Sequence, residues 1–248
     1  MRAFLERLTA ELDAEGLNTL GVVGRARYDA AAPPRARCDA ILPGARSVIA
    51  VASGGRAHWD RMLVHIAGDP VARLARTRHP LDDFGKAVFA RLGTLLEGCR
   101  VIHPHHDAPV FLSFIPLGEL AGIGRSSEIG LVVNDRHGPW LGFRAAIFTP
   151  HALPETPVAR RLCDRCPAPC RAACPGEVVG NRAFPWERCA AFREAASSPC
   201  RRSCAAREAC VVAQDQMYPP LQRLYHADRA AGRADLCRMF GVADEVGV

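Results

Sequence analysis

Between Cys163 and Cys210 the chain places eight of its eleven cysteines, the first four as Cys163-Asp-Arg-Cys166-Pro-Ala-Pro-Cys170-Arg-Ala-Ala-Cys174-Pro175. Cys189, Cys200, Cys204 and Cys210 follow. Such density demands a chemical reason. One tetrahedral zinc takes four ligands, usually from two separated CxxC-type pairs, and four cysteines within twelve residues suit that geometry poorly. A disulfide framework belongs to small secreted domains. Met1 to Gly16 is charged and amphipathic, without the apolar stretch of a signal peptide. Zinc and disulfides stay as the competing readings, and spacing favours iron-sulfur clusters.

In the ferredoxin-type run C-x2-C-x2-C-x3-C-P, three thiolates hold one cubane and the fourth, sent away by the proline, holds another. Here the run is C-x2-C-x3-C-x3-C-P, one residue longer in the middle. Pro167 and Pro169 flank the extra residue, and their fixed φ angles allow a rigid loop that still directs Cys170 at iron. Eight thiolates then divide into two sets of four. Cys163, Cys166 and Cys170 need one distant partner, for which Cys210 is the natural choice. Cys174, Cys189, Cys200 and Cys204 remain for the second 4Fe-4S cluster. Cys38, Cys99 and Cys237 stand alone and read as small apolar residues.

At 248 residues the chain is long enough to bury roughly 70 to 75% of its unfolded surface, so its larger part needs no metal to fold. No apolar run reaches the roughly 20 residues of a membrane span. A cytoplasmic protein without membrane contact is expected. The formal charge is +6, with Lys86 the only lysine among 32 basic residues, and the arginines are scattered among acids. That is weak ground for nucleic-acid binding and fits a solvated surface.

Periodicity predicts a helix over residues 3–15, a strand over Leu17 to Val23 and a loop from Tyr28 to Asp39. A buried strand follows over Ser47 to Ala52, then helices over His58 to Ala67 and Leu81 to Glu97. His103-Pro104-His105-His106-Asp107 is a polar stretch, readable as a plain loop, a metal site or a proton-handling group. Gly122 and Gly124 punctuate the turn after Leu117, and Gly130 opens the strand Ile129 to Val133. Glycines beside strands let backbone amides approach a flat or anionic ligand, so these three are candidate cofactor contacts. Ile129 to Val133 and Phe143 to Thr149 are expected to pair as a hairpin. Pro150, Pro154 and Pro157 mark a linker, dividing the chain into an α/β domain over 1–155 and a cysteine-bearing domain with C-terminal helices over 156–248.

The order Leu42-Pro43-Gly44-Ala45-Arg46-Ser47-Val48-Ile49, Ala121-Gly122-Ile123-Gly124, Gly130-Leu131-Val132-Val133, Gly138-Pro139 and the cysteine series resembles the epoxyqueuosine reductases and the related reductive dehalogenases. The resemblance spans roughly residues 1 to 215. It implies an α+β protein: a nitroreductase-like α/β domain of the cobalamin-processing type, followed by a small ferredoxin-like domain with two 4Fe-4S clusters. It also implies cobalamin beside the clusters and a reductase fed by a redox donor protein or small-molecule reductant, acting on a small-molecule substrate. By the same resemblance Asp107, two residues before Pro109, is the candidate catalytic acid, or His106 if the register slips by one. Glu128 departs from the pattern, because the family's turn carries Lys or Arg and Asn nearby. No helical-repeat region like the one that helps epoxyqueuosine reductases bind tRNA follows the cysteines, so tRNA is not expected as a partner. Two other readings are an electron-transfer or partner-binding 4Fe-4S protein without cobalamin, and a zinc-stabilised binding module.

Overall fold

The computed structural model describes residues 2–104, 111–180 and 183–246. The chain opens with α1 (Arg2–Ala14), β1 (Thr19–Gly24), α2 (Arg25–Ala31), α3 (Cys38–Ile41), β2 (Ser47–Gly54), α4 (Ala57–Gly68), α5 (Pro70–Leu74) and α6 (Pro80–Arg91). It continues through β3 (Arg100–Ile102), α7 (Phe114–Leu120), β4 (Arg125–Ser126), β5 (Val132–Val133) and β6 (Leu141–Thr149). The cysteine-rich part supplies α8 (Pro169–Ala173), α9 (Trp186–Glu194) and α10 (Ala205–Glu208), and α11 (Pro220–Ala227) and α12 (Arg229–Phe240) complete the set. No helix among the described residues is long and apolar enough to cross a membrane.

Four strands form one antiparallel sheet in the order β1-β2-β6-β3. Every residue of β2 is buried, as expected for a central strand covered on both faces, and this is why its sequence reads as an unbroken apolar run. Side chains alternate across the pleat. Ile49, Val51, Ala145 and Ile147 enter a core with Leu8, Leu12, Trp59, Met62, Phe84 and Val88. Val48, Ala50, Ala146 and Phe148 enter another with Tyr28, Cys38, Leu117 and Ile123. Tyr225, Leu236 and Cys237, from the last two helices, belong to the first of these cores. Thr156 exchanges hydrogen bonds of 2.9 Å with Val22 through its backbone N–H and its Oγ1, covering the outer edge of β1.

Three expectations need correction. Residues 28–39 are not a plain loop: the alanine-rich segment from Arg25 makes α2, and the Tyr28 hydroxyl donates to the Ala36 carbonyl at 2.9 Å. The expected helix to Glu97 ends at Arg91, followed by turns. The hairpin between residues 129–133 and 143–149 is absent: β5 pairs with β4, while β6 lies between β2 and β3. Asn134 explains the divergence locally. Its side chain accepts from the His137 N–H at 2.7 Å and donates to the Ile123 carbonyl at 3.1 Å, turning the chain away.

Candidate functional site

The first cysteine loop is built by local backbone geometry. Cys166 N–H donates to the Cys163 carbonyl at 3.2 Å. Ala168, the extra residue between two prolines, takes the left-handed conformation at φ 53° and donates its N–H to Cys166 Sγ at 3.4 Å. Such a conformation costs a non-glycine residue on the order of 1–3 kcal/mol, and the flanking rings hold it. Pro169 then starts α8, where its missing N–H is harmless. Cys163, Cys166 and Cys170 border a small cavity of about 20 Å³, and Cys210, beyond the end of α10, completes the wall with Ile129 and Val212. Burial pushes the Cys170 thiol above its ordinary pKa, and the charges of Cys210, Cys163 and Cys166 push it further. Burial does the same to Cys210.

Cys174 caps the C-terminus of α8 and borders a second cavity of about 220 Å³. Cys189 reaches it from α9, Cys200 from the turn after Ser198, and Cys204 from the residue before α10. Ser198 Oγ accepts from the Cys200 N–H at 3.3 Å and fixes that turn. Burial, then the neighbouring Cys204, raises the pKa of both Cys189 and Cys200. All eleven cysteines are free thiols.

Four thiols at each cavity are a donor set that an iron-sulfur cluster or a zinc ion accepts. Among the described residues no three His, Cys, Asp or Glu side chains gather as they would around one metal. Zinc needs its four sulfurs about 2.3 Å from one point. Here four thiols are among the residues that border each cavity, and a cubane binds one thiolate at each of its four irons. Cys38 and Cys237 are buried and Cys99 is partly buried, each apart from these cavities.

A cleft of about 410 Å³ lies alongside, bordered by Ile115, Ser127, Glu128, Gly130, Phe184 and Trp186. Its volume is in the range that holds small molecules. Ser127 and Glu128 also border the first cysteine cavity, and Phe184 and Trp186 the second. Trp186 is 52% exposed. Gly130 has φ 72°, and a Cβ there would stand 2.6 Å from Phe184, so glycine keeps the aromatic wall in place. Gly122 and Gly124 are instead approached by the chain itself: a Cβ would lie 2.3 Å from the Pro157 carbonyl oxygen and 2.5 Å from that of Val133. Asp107 and His106 lie outside the described residues. His103 Nδ1 lies 3.0 Å from the Arg144 carbonyl.

Glu128, the departure noted in the sequence, accepts from Arg171 at 3.1 Å and faces Arg161 at 3.8 Å. It therefore ties α8 to the turn before β5. Sequence reasoning passed over the residues behind the second cavity. Trp140 packs edge-on against Tyr218, and the Arg207 guanidinium lies 4.7 Å from both ring centres. Arg144 is buried beside Asp82 at 3.7 Å and donates to Ser53 Oγ at 3.0 Å. Burial, followed by the charges of Arg144, Arg207 and Arg229, holds the His226 imidazole neutral. No periodicity or motif marks these residues, because they come together from β2, α6, β6 and the residue before it, α10, and α11 and the turn before it.

No family model and no curated protein matches the chain. Solved structures do. The crystal structure of the C. elegans B12-trafficking protein CblC, a homologue of human MMACHC, superposes with a TM-score of 0.60 at 13% identity, covering 97% of both chains. Epoxyqueuosine reductase from Streptococcus thermophilus gives 0.57 at 14% identity, over 97% of this chain and 80% of the other. A selenomethionine-labelled epoxyqueuosine reductase gives 0.50 at 16% identity, over 71% of this chain, which spans about half, 53%, of that longer protein. One correction follows. An epoxyqueuosine reductase is solved with a tRNA-Tyr epoxyqueuosine-modified stem loop, so the expectation against a tRNA partner does not stand. Lack of a recognisable helical-repeat region is no ground for excluding tRNA. The chain thus has the mixed α/β fold found in epoxyqueuosine reductase and in the B12-trafficking protein CblC.

Proposed function

We propose that this chain is a redox protein holding two 4Fe-4S clusters, one on Cys163, Cys166, Cys170 and Cys210 and one on Cys174, Cys189, Cys200 and Cys204. It would pass electrons to an acceptor in the neighbouring cleft. The observation that carries the reading is the sorting of eight thiols between two separate cavities, four to each. When bound, the clusters supply one-electron transfer at potentials set by cluster charge, hydrogen bonds to sulfur and solvent exposure.

Cys204 is exposed whereas Cys170 is buried. Electrons from a donor protein or small reductant therefore enter at the second set, and the first set hands them inward. The proposed acceptor is cobalamin, which supplies low-valent cobalt chemistry toward a small-molecule substrate. Shared fold with a B12-trafficking protein supports this choice. Ile115 and Trp186 give apolar walls to hold it, and Ser127 gives a hydroxyl. Asp107, or His106, is proposed to deliver the proton to the reduced substrate.

A second reading, an electron carrier without cobalamin, is favoured by Glu128, which puts a carboxylate already engaged with two arginines at the cleft wall. Anaerobic purification with iron, sulfide and cobalt analysis tests both. We expect about eight irons and eight sulfides per chain, as two cubanes each held by four cysteines require, and corrin absorbance that stays with the protein through gel filtration. Clusters without corrin would leave the electron carrier. Zinc without labile sulfide would end the redox reading.

A further inference from the structure

Three buried polar atoms without a hydrogen-bond partner belong to residues on the wall of the second cysteine cavity: Trp140 Nε1, Arg223 Nε and His226 Nε2. Leaving such a group unsatisfied in the interior costs about 1–3 kcal/mol, so three on one wall call for an occupant. Two of the three decide its chemistry. An indole N–H and a guanidinium N–H can only donate, and the occupant must therefore offer acceptors. The neighbouring residues do not meet this need. Arg223 directs Nη1 at Glu208 at 2.6 Å, yet its Nε stays free. Trp140 is 1% exposed and fixed by Tyr218 and Arg207, so its N–H cannot swing out to solvent. Most of the remaining wall is apolar, with Ile129, Leu131, Val179 and Phe192.

We propose that Trp140, Arg223 and His226 donate hydrogen bonds to the sulfurs of the cluster on Cys174, Cys189, Cys200 and Cys204, making them part of its binding site. This rests on the reading above that a cluster fills that cavity. Cluster sulfurs are acceptors only, and their negative charge grows on reduction. Donors aimed at them hold the reduced state more tightly than the oxidised one and raise the potential. These are positioning and tuning residues, and the first cluster has no share in them: none of the three borders its cavity.

The test uses the full chain reconstituted anaerobically with iron and sulfide, as wild type, Trp140→Phe, His226→Leu and His226→Gln. Midpoint potentials of both clusters are read by EPR-monitored titration, alongside iron and sulfide content and circular dichroism. Trp140→Phe and His226→Leu should each lower one midpoint, that of the cluster abolished by Cys204→Ser, and leave the other in place. The expected size is about tenfold in the reduction equilibrium, or 59 mV for one electron. His226→Gln, which restores an N–H donor, should recover most of the shift. Should His226→Leu fail to fold, Trp140→Phe alone carries the comparison. Full iron and sulfide with both midpoints unmoved in Trp140→Phe would overturn the proposal. A wild type that binds no iron or sulfide would instead defeat the cluster reading itself.

Discussion

Cys170 and Cys174 stand one helical turn apart, within α8 and at its C-terminal cap, and border different cavities. Four residues of helix advance about 6 Å, so whatever fills the two cavities is separated by little more than this turn. α8 thus carries one thiol to each cavity.

Single replacements at the two positions should act separately. We predict that Cys170→Ser loses the first cluster and keeps the second, and that Cys174→Ser does the reverse, each halving the iron per chain. Iron and sulfide analysis with EPR checks this, and loss of all iron from either variant would count against two independent sets.

Acid should destabilise the protein well before the carboxylates titrate. Burial first, and Arg144 second, push the His58 pKa down to about 3, while its Nδ1 stays 2.7 Å from the Glu15 carbonyl. In the unfolded chain the imidazole takes up its proton near 6.5. Stability is therefore whole above pH 6.5 and is lost as pH falls from there toward 3. At pH 5 the loss from this one residue is about 2 kcal/mol. Urea unfolding at pH 7 and pH 5 should show a midpoint lower by about 1 M at pH 5. His58→Phe should flatten that dependence whatever its effect at pH 7.

At the alkaline end the sign is set by Cys38. Burial, followed by the charge of Asp29 and a hydrogen bond to it, raises this thiol to about 12. The unfolded thiol ionises near 8.5, so the stabilisation is complete below that value and drains away as pH rises toward 12. About 2 kcal/mol should be gone by pH 10. Thermal melting between pH 8 and 10 of wild type and Cys38→Ala measures it, with the variant expected to show the shallower decline.

Gly122→Ala separates a packing role from a ligand role for the turn after α7. Its φ of 72° and the Pro157 carbonyl oxygen 2.3 Å from a would-be Cβ imply a loss of at least about 1–3 kcal/mol. The loss should be the same with and without added cobalamin in a melting assay. A variant that melts like wild type and fails only in corrin retention would restore the ligand-contact reading.

Local spacing shaped the expectation for the cysteine loop and left much of the sheet unread. The cysteine run from Cys163 to Cys174 sets its own turns within a dozen residues, whereas Cys210 borders the first cavity from more than thirty residues downstream. Strand partners could not be read from spacing. Val51 pairs near Ala145 across more than ninety residues, and the apparent hairpin of residues 129–133 with 143–149 gave way because Asn134 turns the chain aside. Glu128 read as a disturbance to a ligand, whereas its two arginine partners lie more than thirty residues downstream. Trp140 and His226 carry no periodic signal at all, since their meaning comes only from sharing a cavity.

Consecutive residues of α11, their rings 5.9 Å apart, serve different surroundings: Tyr225 joins the core beneath the sheet and His226 borders the second cysteine cavity. Produced as two polypeptides cut within the proline-rich linker, the halves would each expose a raw apolar face and precipitate. Only co-expression would let them anneal, so fragment complementation offers a direct assay of assembly.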